Sequence, residues 1–339
     1  MTHPTAGRPV RVLMVTSEWP RNGGHTSHFV ARQAHFLRAA GVEIDVFAFR
    51  GSKNPLRYAA AWLGLQGRLV RRPYDLLHAQ FGQSALLALP KRVPLVITFR
   101  GDDLLGIVGR DGSYTRAGRL LQRLSRLAAR RADAVILVSA HMSQYLDGGG
   151  PPHIVPSGLD LELFRRIPRD EARRRLQLQL GQPLVLFVGD PADARKRYAL
   201  ARQAVDLVSR TLPAELVLAW GIPHCDMPIY LSACDVLVFT SLHEGSPNAV
   251  KEALACDLPV VSVRVGDVPE RLRDIPGCAV CADDRAETIA AALEVVLRRG
   301  ERIAGREAVR DLDERRLTER VLGIYRSVLN GGRHSGTSH

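Results

Sequence analysis

The sequence has few aromatic residues, lysines and cysteines, and it has no long apolar run. Aromatic residues make up 6% of the 339 residues, and only 4 of the 47 cationic side chains are lysine. No stretch reaches the roughly 18 uncharged apolar residues that a membrane span requires. The five cysteines are odd in number, sparse and confined to the second half, so we expect reduced thiols. Cys278 and Cys281 lack a second Cys or His pair, which favours buried strand residues over a zinc site.

The charge of the chain is uneven. Residues 1–150 contain 21 basic and 9 acidic residues, whereas residues 151–339 contain 26 of each, so the formal net charge of +12 belongs to the first half. This asymmetry predicts an anionic partner there: nucleic acid, an acidic membrane surface or a phosphorylated substrate. The start of the chain enters a strand pattern where a signal peptide would continue an apolar run, so we expect a cytoplasmic protein.

Apolar strand patterns alternate with helical patterns along the whole chain, which predicts parallel sheets built from strand-helix-strand units. A first series of strands ends at Ala134–Val138, and a second begins at His153–Val155 after the break Gly148-Gly149-Gly150-Pro151-Pro152. We predict an α/β protein with two Rossmann-like domains that face each other across a cleft. The predicted domains are residues 1–157 and 158–315, followed by a helix at 316–330, whose simplest role is to cap the second domain, and a disordered tail at 331–339.

The most informative segment runs from Val236 to Val265 and reads VLVFTSLHEGSPNAVKEALACDLPVVSVRV. It predicts a buried strand, a short loop and a helix with Ser246 as N-cap and Pro247 at the first helical position. The free amides of that first turn, those of Asn248 and Ala249 among them, would form an anion site for a phosphate.

Two glutamates, Glu244 and Glu252, flank this predicted anion site. Each alone is typical of a surface loop or helix, and only the surrounding pattern favours a functional role. One carboxylate before the anion site and one beyond it suit a ligand with hydroxyl groups on both sides of a phosphate. A nucleotide sugar has that layout.

With the segments EGSPNAVKEALA, PVV and Gly266-Asp267-Val268-Pro269-Glu270, the chain resembles the retaining glycosyltransferases of family 4, which have the GT-B fold. The motif is closest to enzymes of bacterial cell-surface polysaccharide assembly of the teichuronic acid type. The resemblance implies that Glu244 contacts hydroxyls of the donor sugar and that Glu252 holds the ribose hydroxyls. It also implies that the backbone from Gly245 through Ser246, Pro247, Asn248 and Ala249 binds sugar and phosphate.

Two further segments resemble parts of the family, a glycine-rich loop near the start and a strand-loop-helix after the hinge. In PRNGGHTSHFV, the resemblance implies that Gly23 and Gly24 let the backbone approach the donor diphosphate. In FVGDPADARKRY, Gly189 and Lys196 match the positions that stabilise the departing diphosphate. The family's arginine position holds Asp190, so either Arg195 or Arg197 substitutes or the cationic cluster is weaker.

The segment ITFRGDDLLG resembles a family loop that ends in His-Gly-x-Asp, with Arg100 in place of the histidine. Arg100 would bind an acidic sugar or acceptor, or His25 or His78 would take over on the acceptor side, with Asp102 nearby. A structural pairing of Arg100 with Asp102 or Asp103 is the alternative interpretation. We predict no catalytic metal, because an Asp-x-Asp metal motif belongs to a different architecture, and no other cofactor.

The resemblance implies a cytoplasmic, metal-independent enzyme that moves a hexosyl group, with retention, from a nucleotide sugar, by expectation a UDP-sugar, to an acceptor hydroxyl. The segment IPHCD between Gly221 and Met227 is shorter than usual near the nucleotide base. Acceptors on a membrane-apposed glycan or glycolipid fit the family motif, and a soluble small molecule or secondary metabolite is the alternative. A nucleotide- or nucleic-acid-binding protein without transferase activity is an alternative from another class, but no basic motif with interleaved aromatic residues supports nucleic acid as a partner.

The excess of basic residues bears on the acceptor. Basic and apolar residues are interspersed in the first half, at Arg57, Arg68, Arg71, Arg72, Lys91 and Arg92 and at Leu56, Trp62, Leu63 and Leu65. This mixture fits an anionic membrane or a polyprenyl-phosphate acceptor better than nucleic acid. We therefore expect peripheral contact with the inner face of the plasma membrane.

Overall fold

The computed structural model describes residues 8–20, 28–50, 54–107, 113–148 and 150–334. The chain divides into two compact units. The first contains the residues up to Ile107, Arg116–Pro156 and the residues from Arg315 onward, and the second contains Ser157–Glu314 and the short stretch before Arg116.

The first unit contains a six-stranded parallel sheet with the strand order β2-β1-β3-β4-β5-β6. Its strands are β1 Arg11–Thr16, β2 Glu43–Ala48, β3 Leu76–Gln80, β4 Leu95–Phe99, β5 Ala134–Leu137 and β6 His153–Ile154. Its helices are α1 His28–Ala39, α2 Pro55–Arg71, α3 Gly82–Leu87, α4 Asp102–Leu105 and α5 Arg116–Ala129, with a 3-10 helix at Ala140–Tyr145. Every residue of β3 and β4 is buried, because apolar clusters cover both faces of the sheet.

The second unit contains a five-stranded parallel sheet with the order β11-β10-β9-β7-β8. Its strands are β7 Leu184–Val188, β8 Glu215–Ala219, β9 Val236–Phe239, β10 Val260–Ser262 and β11 Ala279–Val280. Its helices are α6 Arg169–Arg175, α7 Tyr198–Val208, α8 Met227–Ala233, α9 Asn248–Ala255, α10 Val268–Leu272 and α11 Ala286–Arg299, with 3-10 helices at Ala194–Lys196, His224–Asp226 and Glu307–Leu312. One apolar cluster forms its core.

The strands predicted at Ala134–Val138 and His153–Val155 agree with the observed ones to within about one residue at each end, but the second was assigned to the wrong sheet. The strand at His153 pairs with β5, with Leu137 opposite Ile154, and so it completes the first sheet. The first unit therefore continues through the Gly-Pro break at residues 148–152, and the units divide after Pro156.

The last helix, α12 Glu314–His334, belongs mainly to the first unit, so the expectation that it caps the second domain is wrong. Its apolar stripe packs into a buried cluster of the first unit with Val12 and Met14 of β1. Tyr325 from this stripe also lies 2.6 Å from Nδ1 of His78. The helix includes residues 331–334, which the sequence assigned to a disordered tail.

Helix α2 occupies the segment that the sequence described only as a basic surface. Asn54 caps it by accepting a hydrogen bond from Leu56 N at 2.9 Å, and Pro55 stands at the first position. Within the described residues, no helix is both long and apolar enough to cross a bilayer. All five cysteines are free thiols, as expected, and Cys278 and Cys281 are at least partly buried.

Candidate active site

Strand β9 and helix α9 hold the loop that carries Glu244. The predicted N-cap of α9 is wrong: Ser246 Oγ lies 2.7 Å from Asp267 Oδ2 and donates to it, and Pro247 takes the cap position without a side-chain cap. The helix begins at Asn248, and its first amides have no partner within the helix. The side-chain oxygen of Asn248 is also buried without a hydrogen-bond partner in the described part of the chain.

The loop is supported from behind by the Gly-Asp step before α10. Gly266 has a φ of +54°, and a Cβ there would stand 2.8 Å from Gly245 O and 2.9 Å from Glu244 O. Only glycine allows so close an approach at this backbone conformation. Oδ2 of Asp267 accepts hydrogen bonds from the Ser246 hydroxyl at 2.7 Å and from the Arg271 guanidinium at 2.9 Å. The GDVPE segment therefore fixes the position of the Glu244 backbone.

Glu244 forms an ion pair with Lys196. The Lys196 ammonium donates to Glu244 Oε1 at 2.6 Å, and the Arg195 guanidinium lies 3.4 Å from the same oxygen. Burial acts to raise the pKa of Glu244, but the positive charges of Lys196 and Arg195 outweigh it and hold the pKa below its usual range. The carboxylate is therefore ionised at neutral pH, in a site where only 13% of its side chain is exposed.

Lys196 reaches this position across Gly189, which directly follows β7. Gly189 has a φ of +140°, and a Cβ there would contact Cγ of Lys196 at 3.4 Å. The ammonium group also lies 5.7 Å from the centre of the Phe239 ring at the end of β9. The ends of β7 and β9 thus bring Gly189, Lys196 and Glu244 together.

The two arginines beside Lys196 have different partners. Arg195 lies near Glu244 and 3.3 Å from Asp193, whereas Arg197 donates to Thr240 O and Asp284, both at 2.6 Å. Of the two candidates to replace the missing family arginine, Arg195 is therefore the one beside the ion pair. Asp190 accepts from Ala192 N at 2.9 Å and forms part of a turn.

Glu252 lies on α9 with 7% of its side chain exposed. His224, from the 3-10 helix before α8, approaches it with Nε2 at 3.0 Å from Oε1. The rings of His224 and Phe164 form a T-shaped contact, with ring centres 5.2 Å apart. The sequence did not single out His224, since the contact joins residues 28 positions apart.

Lys251, the neighbour of Glu252, is fully buried. Its ammonium donates to Ser157 O at 3.0 Å. This bond ties α9 to the first residue of the second unit. Lys251 therefore has a structural contact within the unit, and its occurrence in the donor motif needs no ligand to explain it.

Arg100 follows β4 in the first unit. Its guanidinium donates to Gln80 Oε1 at 2.7 Å and to Gln33 Oε1 at 3.0 Å, and it lies 4.8 Å from the centre of the Phe29 ring. Of the alternative structural pairing with an aspartate, the structure shows a backbone contact: Asp103 accepts from the amide of Arg100 at 3.1 Å.

Asp103 is buried beneath this loop. It also accepts from the amides of Gly101 at 2.8 Å and Gly82 at 3.1 Å. Burial raises its pKa to about 6, against the effect of these amides. Asp102 is partly buried at the start of α4, where its carbonyl accepts from Gly106 N at 3.0 Å.

His78 lies inside the core of the first unit, with no exposed surface. Its Nδ1 is 2.6 Å from the Tyr325 hydroxyl and its Nε2 is 2.7 Å from the Thr98 hydroxyl. Burial, aided by the charge of Arg100, lowers its pKa to about 3, so the ring is neutral. This placement corrects the expectation that His78 acts on the acceptor side, because the side chain has no surface to offer an acceptor.

The remaining predicted site residues, Gly23, Gly24 and His25, lie outside the described residues. Among the residues that the structure does describe, no group of three or more His, Cys, Asp or Glu side chains is arranged to hold a metal ion. Among the described residues, the candidate site in the second unit comprises the Lys196–Glu244 pair, the His224–Glu252 pair and the start of α9.

Two family descriptions match the chain. "Glycosyltransferase Family 4" matches residues 7–163, and "Glycosyl transferases group 1" matches residues 184–299. Between them they cover most of both units.

Curated proteins that are similar in sequence are also named as glycosyltransferases. The chain is 27% identical over 57% of its length to a Bacillus subtilis protein named as a putative teichuronic acid biosynthesis glycosyltransferase, TuaC, and it spans 54% of that protein. It is 29% identical over 78% of its length to D-inositol 3-phosphate glycosyltransferase 1 of Catenulispora acidiphila, spanning 75% of that protein. The chain thus spans about half of the first relative and three quarters of the second.

Solved structures share the fold. Sucrose-phosphate synthase from Thermosynechococcus elongatus superposes with a TM-score of 0.82 at 19% identity, covering 95% of this chain and 100% of that one. HepE from Anabaena, solved in complex with UDP and glucose, gives 0.69 at 17% identity, covering 93% and 99%. With its two parallel sheets and both family matches, the chain belongs to the family 4 type of glycosyltransferases, which have the GT-B fold.

Proposed function

We propose that this protein is a retaining glycosyltransferase that moves a hexosyl group from a nucleotide sugar, of the UDP type, to an acceptor hydroxyl. The observation that carries the proposal is the Lys196–Glu244 ion pair beside the start of α9. A cation, a carboxylate and helix amides close together can bind a diphosphate and a sugar at once. The buried, unpartnered oxygen of Asn248 adds an acceptor that a sugar hydroxyl would satisfy.

In the proposed reaction, the acceptor oxygen bonds to the anomeric carbon on the face from which the diphosphate leaves. The bond between that carbon and the phosphate oxygen breaks, and the departing oxygen takes the acceptor's proton. No protein nucleophile takes part. Lys196, Arg195 and the α9 amides stabilise the growing negative charge on the diphosphate, and Glu244 holds sugar hydroxyls. This assignment of charge stabilisation to side chains and amides requires no resident metal.

We propose that the acceptor belongs to cell-surface polysaccharide or glycolipid synthesis. The name of the Bacillus relative and the EGSPNAVKEA motif support this class. A soluble phosphorylated acceptor is the second candidate, favoured by the names of the inositol 3-phosphate relatives and by the basic first half of the chain. We place the reaction in the cytoplasm.

The donor class is tested with UDP-, GDP- and ADP-sugars, NAD and an oligonucleotide. We expect thermal stabilisation and slow donor hydrolysis with at least one nucleotide sugar, strongest for UDP, because the site combines diphosphate and hydroxyl ligands. Binding of the oligonucleotide or NAD alone would refute the transferase and favour a binding protein. Mass spectrometry of the products then identifies the sugar that is transferred.

We further propose that α2 contacts an anionic membrane. Leu56, Leu63 and Val70 recur every seven residues on one helix face and are exposed by 78%, 64% and 70%. Helix α2 contains no acidic residue, and Arg57 and Arg71 are exposed on it. An apolar stripe flanked by arginines fits the interface of an anionic bilayer.

Some of the basic and apolar residues that the sequence assigned to the membrane-contacting surface are paired with acidic residues or buried. Arg68 and Arg72 lie 3.1 and 3.6 Å from Asp45, and Lys91 pairs with Asp133 at 2.7 Å. Leu65, expected among the surface apolar residues, is fully buried. The attraction to lipid would therefore depend on the α2 stripe and its two exposed arginines more than on all the basic residues.

Substituting two stripe residues, Leu63→Glu with Val70→Glu, should weaken binding to phosphatidylglycerol vesicles by about tenfold or more, because two exposed apolar side chains become charged. Co-sedimentation with vesicles measures this. Val295→Glu, a change at a residue of the second unit that is also 70% exposed, is the matched control and should bind as wild type does. Wild-type protein that shows no salt-sensitive vesicle binding would favour the soluble acceptor.

A further inference from the structure

The short segment between β8 and α8 brings His224 against Glu252. We propose that His224 is a positioning residue, which orients the Glu252 carboxylate toward the ribose of the donor nucleotide. The inference rests on the proposed function, because it takes Glu252 as the group that binds the ribose hydroxyls.

The contact between the two side chains gives the imidazole the role of hydrogen-bond donor to an ionised Glu252. An ionised carboxylate only accepts hydrogen bonds, so the 3.0 Å contact requires a proton on Nε2 of His224. The ring is also held from the side by Phe164, which is fully buried and meets it edge-on at 63°. The imidazole is therefore held at two places, by the Phe164 ring and by the carboxylate.

The backbone of His224 is restrained as well. Pro223 precedes it with a φ of −58°, and the His224 carbonyl accepts from the amide of Met227, the first residue of α8. Only five residues, IPHCD, separate Gly221 from Met227. A short and restrained connection of this kind limits the directions from which the imidazole can approach α9.

The carboxylate needs such a donor because it is almost completely buried. A buried carboxylate without hydrogen-bond donors pays a desolvation penalty, and an unconstrained one rotates among several orientations. A carboxylate has about four acceptor sites, so a bond from His224 to Oε1 is compatible with bonds from ribose hydroxyls to the same carboxylate. By holding Oε1, His224 sets the plane of the carboxylate before the nucleotide arrives, which lowers the ordering cost of binding.

The experiment compares the full-length protein and its variants in binding UDP, GDP and ADP and their 2′-deoxy analogues, by calorimetry. We expect the wild type to prefer the ribonucleotide. His224→Ala should bind the ribonucleotide about tenfold more weakly, the size expected when a hydrogen bond to a charged group no longer orients its partner. Its affinity for the 2′-deoxy analogue should change little, so the preference for ribose shrinks.

Two comparisons separate positioning from a general loss of structure. His224→Gln should restore the preference, because its amide N–H can donate to Oε1 in place of Nε2. In donor hydrolysis, His224→Ala should raise KM for the nucleotide sugar while kcat changes less than about threefold, as expected for a group that acts on binding alone. His153→Ala, at an exposed histidine of the first unit, is the control.

The outcomes distinguish the two proposals. If the wild type binds none of the ribonucleotides, the proposed function fails and the inference fails with it. If the wild type prefers ribose and His224→Ala keeps the full preference, the donor site stands and the role of His224 is overturned. If His224→Ala loses thermal stability, His224→Gln decides: a stable Gln variant without ribose preference overturns the inference, and restored preference supports it.

Discussion

The Glu244→Ala variant should fold and lose at least about a hundredfold in glycosyl transfer, the order of loss seen when one preorganised polar group is removed from an active site. Two effects add up in this variant. The donor sugar loses a carboxylate that accepts its hydroxyls, and Lys196 loses the partner that holds its ammonium at 2.6 Å. Turnover of the nucleotide sugar identified by the donor panel measures the loss.

The stability of this variant should depend on pH in a defined direction. The folded-state pKa of Glu244 is lowered, so its ion pair stabilises the fold above the pKa of the unfolded chain and loses this effect as pH falls through the folded pKa. The difference in Tm between wild type and Glu244→Ala should therefore be largest near neutral pH and shrink in acid. Thermal unfolding at neutral and acid pH measures it.

Two variants serve as controls for Glu244→Ala. Glu244→Gln keeps the volume and an acceptor for Lys196 but not the charge, and we expect turnover between that of wild type and Ala. Glu287→Ala removes a surface carboxylate at the start of α11, 65% exposed, and should behave as wild type. Unchanged turnover in folded Glu244→Ala protein would remove Glu244 from the donor site.

The strands and the loop around Glu244 could be predicted because their signal is local. A strand buried on both faces reads as a continuous apolar run, and the inner strands of both sheets, β1, β3 and β4 in the first and β7, β9 and β10 in the second, are of this kind. The start of α9 is marked by Pro247 and the residues just before it. Gly189, Lys196 and Glu244 then meet because the carboxyl ends of parallel strands lie at one edge of a sheet.

The errors concern residues whose partners are far away in sequence. Ser246 has the composition of an N-cap, but it bonds Asp267, 21 positions later. Lys251 has the pattern of an exposed helix residue, yet its partner, the carbonyl of Ser157, is 94 positions earlier. His78 precedes Tyr325 by 247 residues, so its burial under α12 could not be read from its neighbours.

Helix α2 was missed for a different reason. Apolar residues occur on its buried side, at Leu65, and on its exposed side, at Leu56 and Leu63, so no single apolar face shows in the sequence. The same property that hid the helix leaves the apolar residues of its outer side exposed. Apolar residues on two sides of one helix can therefore indicate two contact surfaces. In α2 the buried side packs within the unit, and the exposed side is the proposed membrane contact.

The Lys196→Met variant should lose about a hundredfold to a thousandfold in kcat, because the charge that Lys196 stabilises grows as the diphosphate departs. An ammonium has three donors, so one can hold Glu244 while another meets a phosphate oxygen. We expect the donor dissociation constant to rise by a smaller factor than kcat falls. Arg202→Met, which removes an exposed cation of α7 in the same unit, is the control and should leave kcat unchanged.

The double variant Lys196→Met with Glu244→Ala tests whether the two side chains act as a unit. Because they share one hydrogen bond in a site that excludes most water, removing the second partner after the first should cost little more. The double variant should therefore be only slightly slower than the slower single variant, within about tenfold. If the rate reduction in the double variant equals the product of the reductions in the two single variants, Lys196 and Glu244 act independently. That result would contradict the ion pair as the functional element. Single-turnover rates of all four proteins, measured at saturating donor, decide between the two.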